Sequence, residues 1–130
     1  MTKVNNEEEF ARAVNEERDE IEIEFYFLRE ILLKIKAKGK VVWLLAIGCV
    51  AIMLGIAYKI ADKYVQSEIV KSVFKLPEAQ RAIRLLGADV CMSAFKIAIA
   101  GGGIHVLNTF RNDYYVSYRD KDKVIFKRKK

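Results

Sequence analysis

The sequence predicts a mainly α-helical membrane protein with one transmembrane helix, an N-terminal helical arm and a small C-terminal α+β domain. Three observations support this fold class: an uncharged apolar run at residues 41–58, apolar residues spaced by three and four before it, and short alternating runs after it. The predicted boundaries are an acidic arm over residues 1–39, a transmembrane helix over 40–60, and helices with a short antiparallel meander and a basic tail over 61–130.

The transmembrane prediction rests on 18 consecutive residues without a charge, from Val41 to Tyr58. At about 1.5 Å per residue such a helix is about 27 Å long, close to a hydrocarbon core of about 30 Å. Trp43 and Tyr58 lie near the two ends, where aromatic belts form, and the ammonium groups of Lys40 and Lys59 can reach the headgroups. The alternative is a buried helix of a soluble protein, but a chain of this size offers few partners to cover it all round.

Small residues line one side of this predicted helix. Gly48, Ala51 and Gly55 lie on that side, and the four-residue step from Ala51 to Gly55 lets another helix approach closely. Ordinary membrane composition is the alternative explanation, because glycine is common in membrane helices. We predict that these three residues form a helix-packing face.

The N-terminal arm is predicted to be helical from Asn6 onward. Asn6 is a good N-cap and Glu9 follows three residues later, as in a capping box. Apolar residues then alternate in steps of four and three, which is a heptad spacing. They are Ile21, Phe25, Leu28, Leu32 and Ile35. The stretch from Ile21 to Phe25 also alternates like a short strand, and a helix is preferred because no turn signal interrupts the arm. The seam is expected to bind a partner subunit or the membrane surface.

Pro77 and Gly87 delimit a predicted helix after the membrane span. Proline is favoured at the first position of a helix, and glycine is a common residue just past the end of one. Residues 88–107 are apolar enough for a second span, but Asp89 and Lys96 oppose it. A lysine at the centre of a span costs about 3 kcal/mol on insertion scales.

A small soluble domain is the preferred interpretation of the remaining residues. Ile104–Phe110, Tyr114–Tyr118 and Val124–Phe126 are predicted as three short strands of an antiparallel meander. The triple glycine at 101–103 is then the bend into this sheet. It is not a phosphate-binding loop, because the Lys-Ser/Thr pair of that motif is missing.

The net charge and the basic tail predict that the protein binds an anionic surface. The chain carries a net charge of +6, and its last four residues are Lys127, Arg128, Lys129 and Lys130. Each such charge near a membrane contributes about 1 kcal/mol of attraction to anionic headgroups, and a solvated terminus is an equal alternative. The tyrosines among basic residues in this region do not form a known nucleic-acid platform, so no nucleic-acid partner is expected.

The sequence contains no recognisable catalytic or metal-binding motif. His105 is the only histidine, and Cys49 and Cys91 are the only cysteines, which are too few for a protein-ligated structural zinc site. No serine or cysteine near His105 completes a catalytic arrangement. We therefore predict no enzymatic activity, no cofactor, no metal and no small-molecule substrate.

Residues Leu76–Gly87 have the sequence LPEAQRAIRLLG, and the order of the segments around them resembles that of a known family. One apolar span, a short amphipathic helix and a helix ending in Leu-Gly resemble the small mitochondrial cytochrome-oxidase assembly factors and the related inner-membrane translocase component. The resemblance covers roughly residues 60–110; the sheet here is shorter, and the acidic arm is an addition. It implies a non-enzymatic helper and supplies no catalytic residues.

Two functions are therefore expected from the sequence. The first is a non-catalytic, single-pass accessory or assembly subunit of a larger membrane complex, with other membrane subunits and anionic lipids as partners. A respiratory complex of the mitochondrial inner membrane is favoured over a bacterial inner-membrane one. The alternative is a two-span, pore-forming or lysis-type oligomer. A single span predicts that the two ends of the chain lie on opposite sides of the membrane, whereas two spans place them on one side.

Overall fold

The computed structural model describes residues 2–61 and 66–129, and the chain divides into two compact units. We call Met1–Ala37 with Lys96–Lys130 the sheet unit, and Lys38–Phe95 the helical unit. Helix accounts for 66% of the structure and one small sheet is present, which confirms the mainly helical fold class. The division differs from the predicted arm, span and C-terminal domain, because the segment before the apolar helix belongs with the end of the chain.

The elements follow one another in the order β1, α1, β2, α2, α3, α4, α5, α6, α7, β3 and β4. The sheet unit contains β1 (Thr2–Val4), α1 (Glu7–Asn15), β2 (Glu20–Ile23), α2 (Tyr26–Ala37), α7 (His105–Asp113), β3 (Tyr114–Arg119) and β4 (Val124–Arg128). The helical unit contains α3 (Lys40–Ile60), α4 (Gln66–Val73) and α5 (Pro77–Leu86). Helix α6 (Ala88–Gly101) begins in the helical unit and ends in the sheet unit.

The sheet joins strands from both ends of the sequence. Its strand order is β1-β2-β4-β3, with β1 parallel to β2 and the other two pairs antiparallel. In the central pair, Ile21 lies opposite Phe126 and Ile23 lies opposite Val124. All four of these side chains are buried, so the hydrophobic core of the unit sits on this face of the sheet.

The predicted continuous helix over the arm is wrong, because a strand interrupts it. The helix start is confirmed: the Asn6 side chain accepts a hydrogen bond from the Glu9 backbone amide at 2.8 Å, and Glu9 accepts one from the Asn5 amide at 2.7 Å. Residues Glu20–Ile23 form a strand, as the alternation at Ile21 and Ile23 also suggested. Strand β2 gains backbone partners on both sides, from β1 and β4, and that outweighs its local helical spacing.

Helix α1 ends where the chain turns towards β2. The backbone amide of Arg18 bonds to the Ala13 carbonyl, and that of Glu17 bonds to the Val14 carbonyl. This pair of hydrogen bonds is a Schellman motif, which usually has glycine at the position that Glu17 occupies. Glu17 accordingly adopts a left-handed conformation with φ of 57°.

The first of the three predicted C-terminal strands is wrong, and the other two are confirmed. Residues 105–113 form helix α7, while Tyr114–Arg119 and Val124–Arg128 form the strands β3 and β4. The helix is favoured because it turns Val106 and Phe110, four residues apart, into the core. The Phe110 ring packs edge-to-face with Phe10 and Phe126, at 4.9 Å between centroids in each case.

Pro77 begins α5 and Gly87 ends it, as predicted, and Gly87 has φ of 91°. The triple glycine forms a bend of 105° between α6 and α7 instead of a bend into the sheet. Gly102 and Gly103 have φ of 86° and 151°, which side chains rarely tolerate. A Cβ atom on Gly101 would lie 2.7 Å from Val106 Cγ1, so this position also needs glycine.

Candidate functional site: the exposed apolar face of helix α3

Helix α3 carries an apolar face that the described residues of the helical unit do not cover. Its exposed members share one side of the helix, at steps of three and four residues. We call them the apolar stripe: Val41, Leu44, Leu45, Gly48, Ile52, Gly55 and Tyr58. Val41 is 70% exposed and Ile52, near the middle, is 48% exposed. The stripe is about 27 Å long, and large exposed apolar surfaces of proteins are candidate interaction sites.

The opposite side of α3 is buried within the helical unit. Helix α5 packs along α3, and its buried residues are Ala79, Ala82 and Leu86. On α3 the buried residues include Ala46, Val50 and Met53. Helix α3 is therefore covered on one side and open on the other, although its sequence is apolar all round.

The predicted helix-packing residues lie on or beside the stripe. Gly48 and Gly55 are exposed, and a Cβ atom on either would meet no atom within 4 Å. Ala51 is half-buried at the edge of the stripe. A neighbouring helix can approach the backbone closely at the two glycines, because no side chain among the described residues fills the space.

The ends of α3 match the predicted pattern only in part. Tyr58 is 52% exposed on the stripe, and Lys40 and Lys59 are exposed at the two ends of the apolar run. Trp43 is 3% exposed, so it belongs to the covered side of the helix and does not lie on the stripe as an aromatic anchor.

The predicted partner-binding seam of the arm is not one surface. Ile21 lies in β2, whereas Leu28, Leu32 and Ile35 lie on α2, and all four are buried in the chain's own structure. Phe25 is 56% exposed between β2 and α2. The heptad spacing therefore marks core positions of two different elements, and of the five predicted residues only Phe25 is exposed.

Three of the four predicted lipid-contacting residues of the tail are described, and Lys130 lies outside the described residues. Lys127 and Arg128 belong to β4, and Lys129 follows it. The Arg128 guanidinium lies 3.3 Å from Glu17 and 3.9 Å from Asp19, so its charge is already paired within the sheet unit. The tail is therefore part of the sheet and not a separate basic extension up to residue 129.

A reciprocal contact joins α2 to α7 in the sheet unit. The Lys36 ammonium donates hydrogen bonds to the backbone carbonyls of Phe110, Arg111 and Tyr114, at the C-terminal end of α7. In return, the Arg111 guanidinium donates to the Ile35 carbonyl at 2.6 Å. We call this contact the Lys36–Arg111 clasp. Sequence reasoning missed it, because its two halves lie about 75 residues apart and carry no local signal.

The clasp gives Lys36 unusual electrostatics. Burial lowers the pKa of Lys36 to about 8, and the charges of Lys129 and Arg111 act in the same direction. Cations are nevertheless favoured near a helix C-terminus, where the last carbonyls lack helical partners. The three accepting carbonyls hold the ammonium group in place against this cost.

A second charged network lies on the other face of the sheet. Burial alone would raise the pKa of Glu22, but its contacts with Lys3 and Lys123 outweigh that effect and hold the pKa below its usual range. The pairs lie at 3.4 Å and 3.5 Å. Across residues 2–61 and 66–129, no group of three or more His, Cys, Asp or Glu is placed to hold a metal ion.

By length and composition, α3 is long and apolar enough to cross a membrane, and a core helix of a soluble protein meets the same criteria. Comparison with models of protein families, with curated proteins and with solved structures finds no match. The resemblance to mitochondrial assembly factors therefore stays a prediction.

Proposed function

We propose that the protein is a membrane-inserted accessory subunit that acts through helix contacts and not through chemistry. The observation that carries this proposal is the apolar stripe of α3. An uncharged surface about 27 Å long is costly in water, and burying it in lipid or against another membrane helix recovers about 25 cal/mol for each Å² covered.

The physical support comes from the match between α3 and a bilayer. Helix α3 has 21 residues, and a hydrocarbon core about 30 Å thick needs about 20. Lys40 and Lys59 are exposed at opposite ends, where their charges can reach the headgroups.

The first experiment tests membrane insertion with a matched pair of charge substitutions. Ile52→Lys places a charge in the middle of the stripe, and Ala61→Lys places one just beyond α3; both positions are exposed. A lysine at the centre of a span costs about 3 kcal/mol, whereas one at the end costs little. We expect wild type and Ala61→Lys to stay in the membrane pellet after carbonate extraction, and Ile52→Lys to be released. Release of the wild-type protein would overturn the proposal.

The second experiment tests the contact with a partner helix. Gly55→Leu fills the open space on the stripe without a clash inside the chain, so folding and insertion are expected to be unchanged. Ile52→Leu is the control, since it keeps the bulk of an exposed side chain on the same stripe. We expect Gly55→Leu, but not Ile52→Leu, to lose the membrane proteins that co-purify with wild type. Equal yields of those proteins with both variants would contradict the accessory role.

A further inference from the structure

Arg29, one turn into helix α2, is a buried cation without a counter-charge. The residue is 6% exposed, and its Nε atom has no hydrogen-bond partner. Its guanidinium donates to the Asp120 carbonyl at 3.2 Å and lies over the Tyr26 ring, 5.2 Å from the centroid, and neither of these groups is negatively charged. Among residues 2–61 and 66–129, no carboxylate lies within ion-pair distance of it. Buried charges are normally paired, so this one lacks an anion.

The N-terminus of α2 supplies unbonded donors at the same place. The helix has 12 residues, and its first hydrogen bond runs from the Arg29 amide to the Phe25 carbonyl at 3.0 Å. The amides of residues 26–28 therefore have no partner within the helix, and no other described group accepts from them. The first turn contains no acidic side chain, so the positive end of the helix dipole is not compensated there. Because helical side chains tilt towards the N-terminus, the Arg29 guanidinium and these amides face the same end.

The carboxylates closest to this end of the helix are engaged by other groups. Glu24, which precedes α2, lies 3.3 Å from the Lys3 ammonium. The Asp120 carboxylate accepts a hydrogen bond from the Tyr118 hydroxyl at 2.7 Å and two more from backbone amides of its own turn, at 2.7 Å and 2.9 Å. Neither carboxylate forms an ion pair with Arg29, so the missing partner is an anion from outside the chain.

We propose that the start of α2 binds a phosphate group, with the amides of residues 26–28 and the Arg29 guanidinium as donors. Helix N-termini bind phosphate through their free amides and the helix dipole, and a guanidinium donates parallel hydrogen bonds to phosphate oxygens. A phosphate group has enough acceptor oxygens to serve both kinds of donor at once. Every residue of this site belongs to the sheet unit, so the inference is independent of the membrane insertion proposed for α3.

Three consecutive aromatic side chains adjoin the donors and are exposed. Phe25 is 56% exposed, Tyr26 is 66% exposed and Phe27 is 47% exposed. An exposed side chain changes rotamer within nanoseconds, so the Tyr26 ring can move away and open the guanidinium to a solute. Aromatic rings beside a polar centre suit an amphiphile whose phosphate is linked to apolar chains. We therefore expect the phosphate of a lipid to bind more tightly than inorganic phosphate.

The binding experiment uses the full chain in a maltoside micelle, which contains no phosphate. Inorganic phosphate, dihexanoyl phosphatidic acid and acetate are titrated separately, while NMR follows the backbone amides and the arginine Nε–H groups. We expect both phosphates to cause saturable shifts at residues 26–28 and at the Arg29 Nε–H. Tighter binding of the lipid would identify lipids as the source of the phosphate, and equal binding would identify free phosphate compounds; both support the site. No saturable shift at these atoms, or acetate binding as tightly as phosphate, would overturn it.

A pair of charge substitutions on α2 separates a site from general attraction to a basic protein. Arg29→Met keeps the apolar stem and removes the charge, and Lys34→Met removes the same charge from an exposed position on the same helix. We expect Arg29→Met to weaken phosphate binding about 10-fold to 100-fold, as the loss of charged hydrogen bonds does, and Lys34→Met to weaken it less than about 2-fold. Equal weakening by the two variants would overturn the site. If Arg29→Met does not fold, the shifts in the wild-type protein decide the question.

Discussion

Gly101→Ala tests whether the bend between α6 and α7 depends on the close approach of two backbones. A Cβ atom at residue 101 would lie 2.7 Å from Val106 Cγ1 and 2.9 Å from Val106 Cβ, both shorter than real contacts of this kind. Val106 is fully buried, so it cannot move aside into solvent. Overpacking of this sort costs about 1–3 kcal/mol, while alanine recovers up to about 1 kcal/mol of helix propensity. We expect a net loss of about 1–2 kcal/mol.

The assay is the free energy of local opening, measured by amide hydrogen exchange of α7 and β4 in detergent-solubilised protein. Gly48→Ala is the matched control, because its Cβ atom would meet nothing within 4 Å and its helix is a different one. Adding Val106→Ala removes both γ-methyl groups, including Cγ1, the atom nearest residue 101, but keeps Cβ. The double variant is therefore expected to be more stable than the sum of the two single effects by about 1 kcal/mol. Unchanged protection of α7 in Gly101→Ala, equal to that of Gly48→Ala, would refute the steric explanation of the bend.

Two further predictions concern the sheet unit. Because the pKa of Lys36 is lowered to about 8, the unfolded chain binds more protons than the folded one above that pH, so stability should rise from pH 8 towards pH 10. Lys36→Met should remove this rise, and a denaturation series in which both proteins show the same pH dependence would contradict it. Glu17→Gly should stabilise the unit by about 0.5–1 kcal/mol, since glycine relieves the left-handed conformation at φ of 57° at the cost of one exposed ion pair. Glu17→Ala, which removes the same ion pair, should bring no gain, and equal denaturation midpoints for the two variants would contradict the conformational explanation.

Elements with strong local signals could be predicted from the sequence. Asn6 caps α1 through its side chain, Pro77 begins α5, Gly87 ends it, and the long uncharged run forms α3. The interactions that form the caps lie within a few residues of their sequence signals. For α3, the apolar composition of the segment is itself enough to predict a helix. Capping and helix termination are local properties of the backbone, so one sequence contains the information that fixes them.

The pairing of β2 with β4 could not be predicted, because its hydrogen bonds join residues about 100 positions apart. Strand β1 has three residues and no signal of its own, and β2 has an alternation that also fits a helix. Residues 20–23 form a strand because β4 lies beside them, and no local sequence pattern reveals that neighbour. The same holds for Val106–Phe110, where short apolar spacing suits a helix or a strand until the surrounding core is known.

The exposed side of α3 illustrates the same limit in another form. Because every residue from 41 to 58 is uncharged and mostly apolar, the sequence identifies the segment but contains almost no preference for one side of it. The asymmetry comes from α5, whose residues Ala79 and Ala82 are buried where it packs against α3. A substitution at Val50 would therefore report on the core of the helical unit, whereas one at Ile52, two residues away, reports on the stripe. Only the second can separate loss of the proposed membrane contact from loss of the fold.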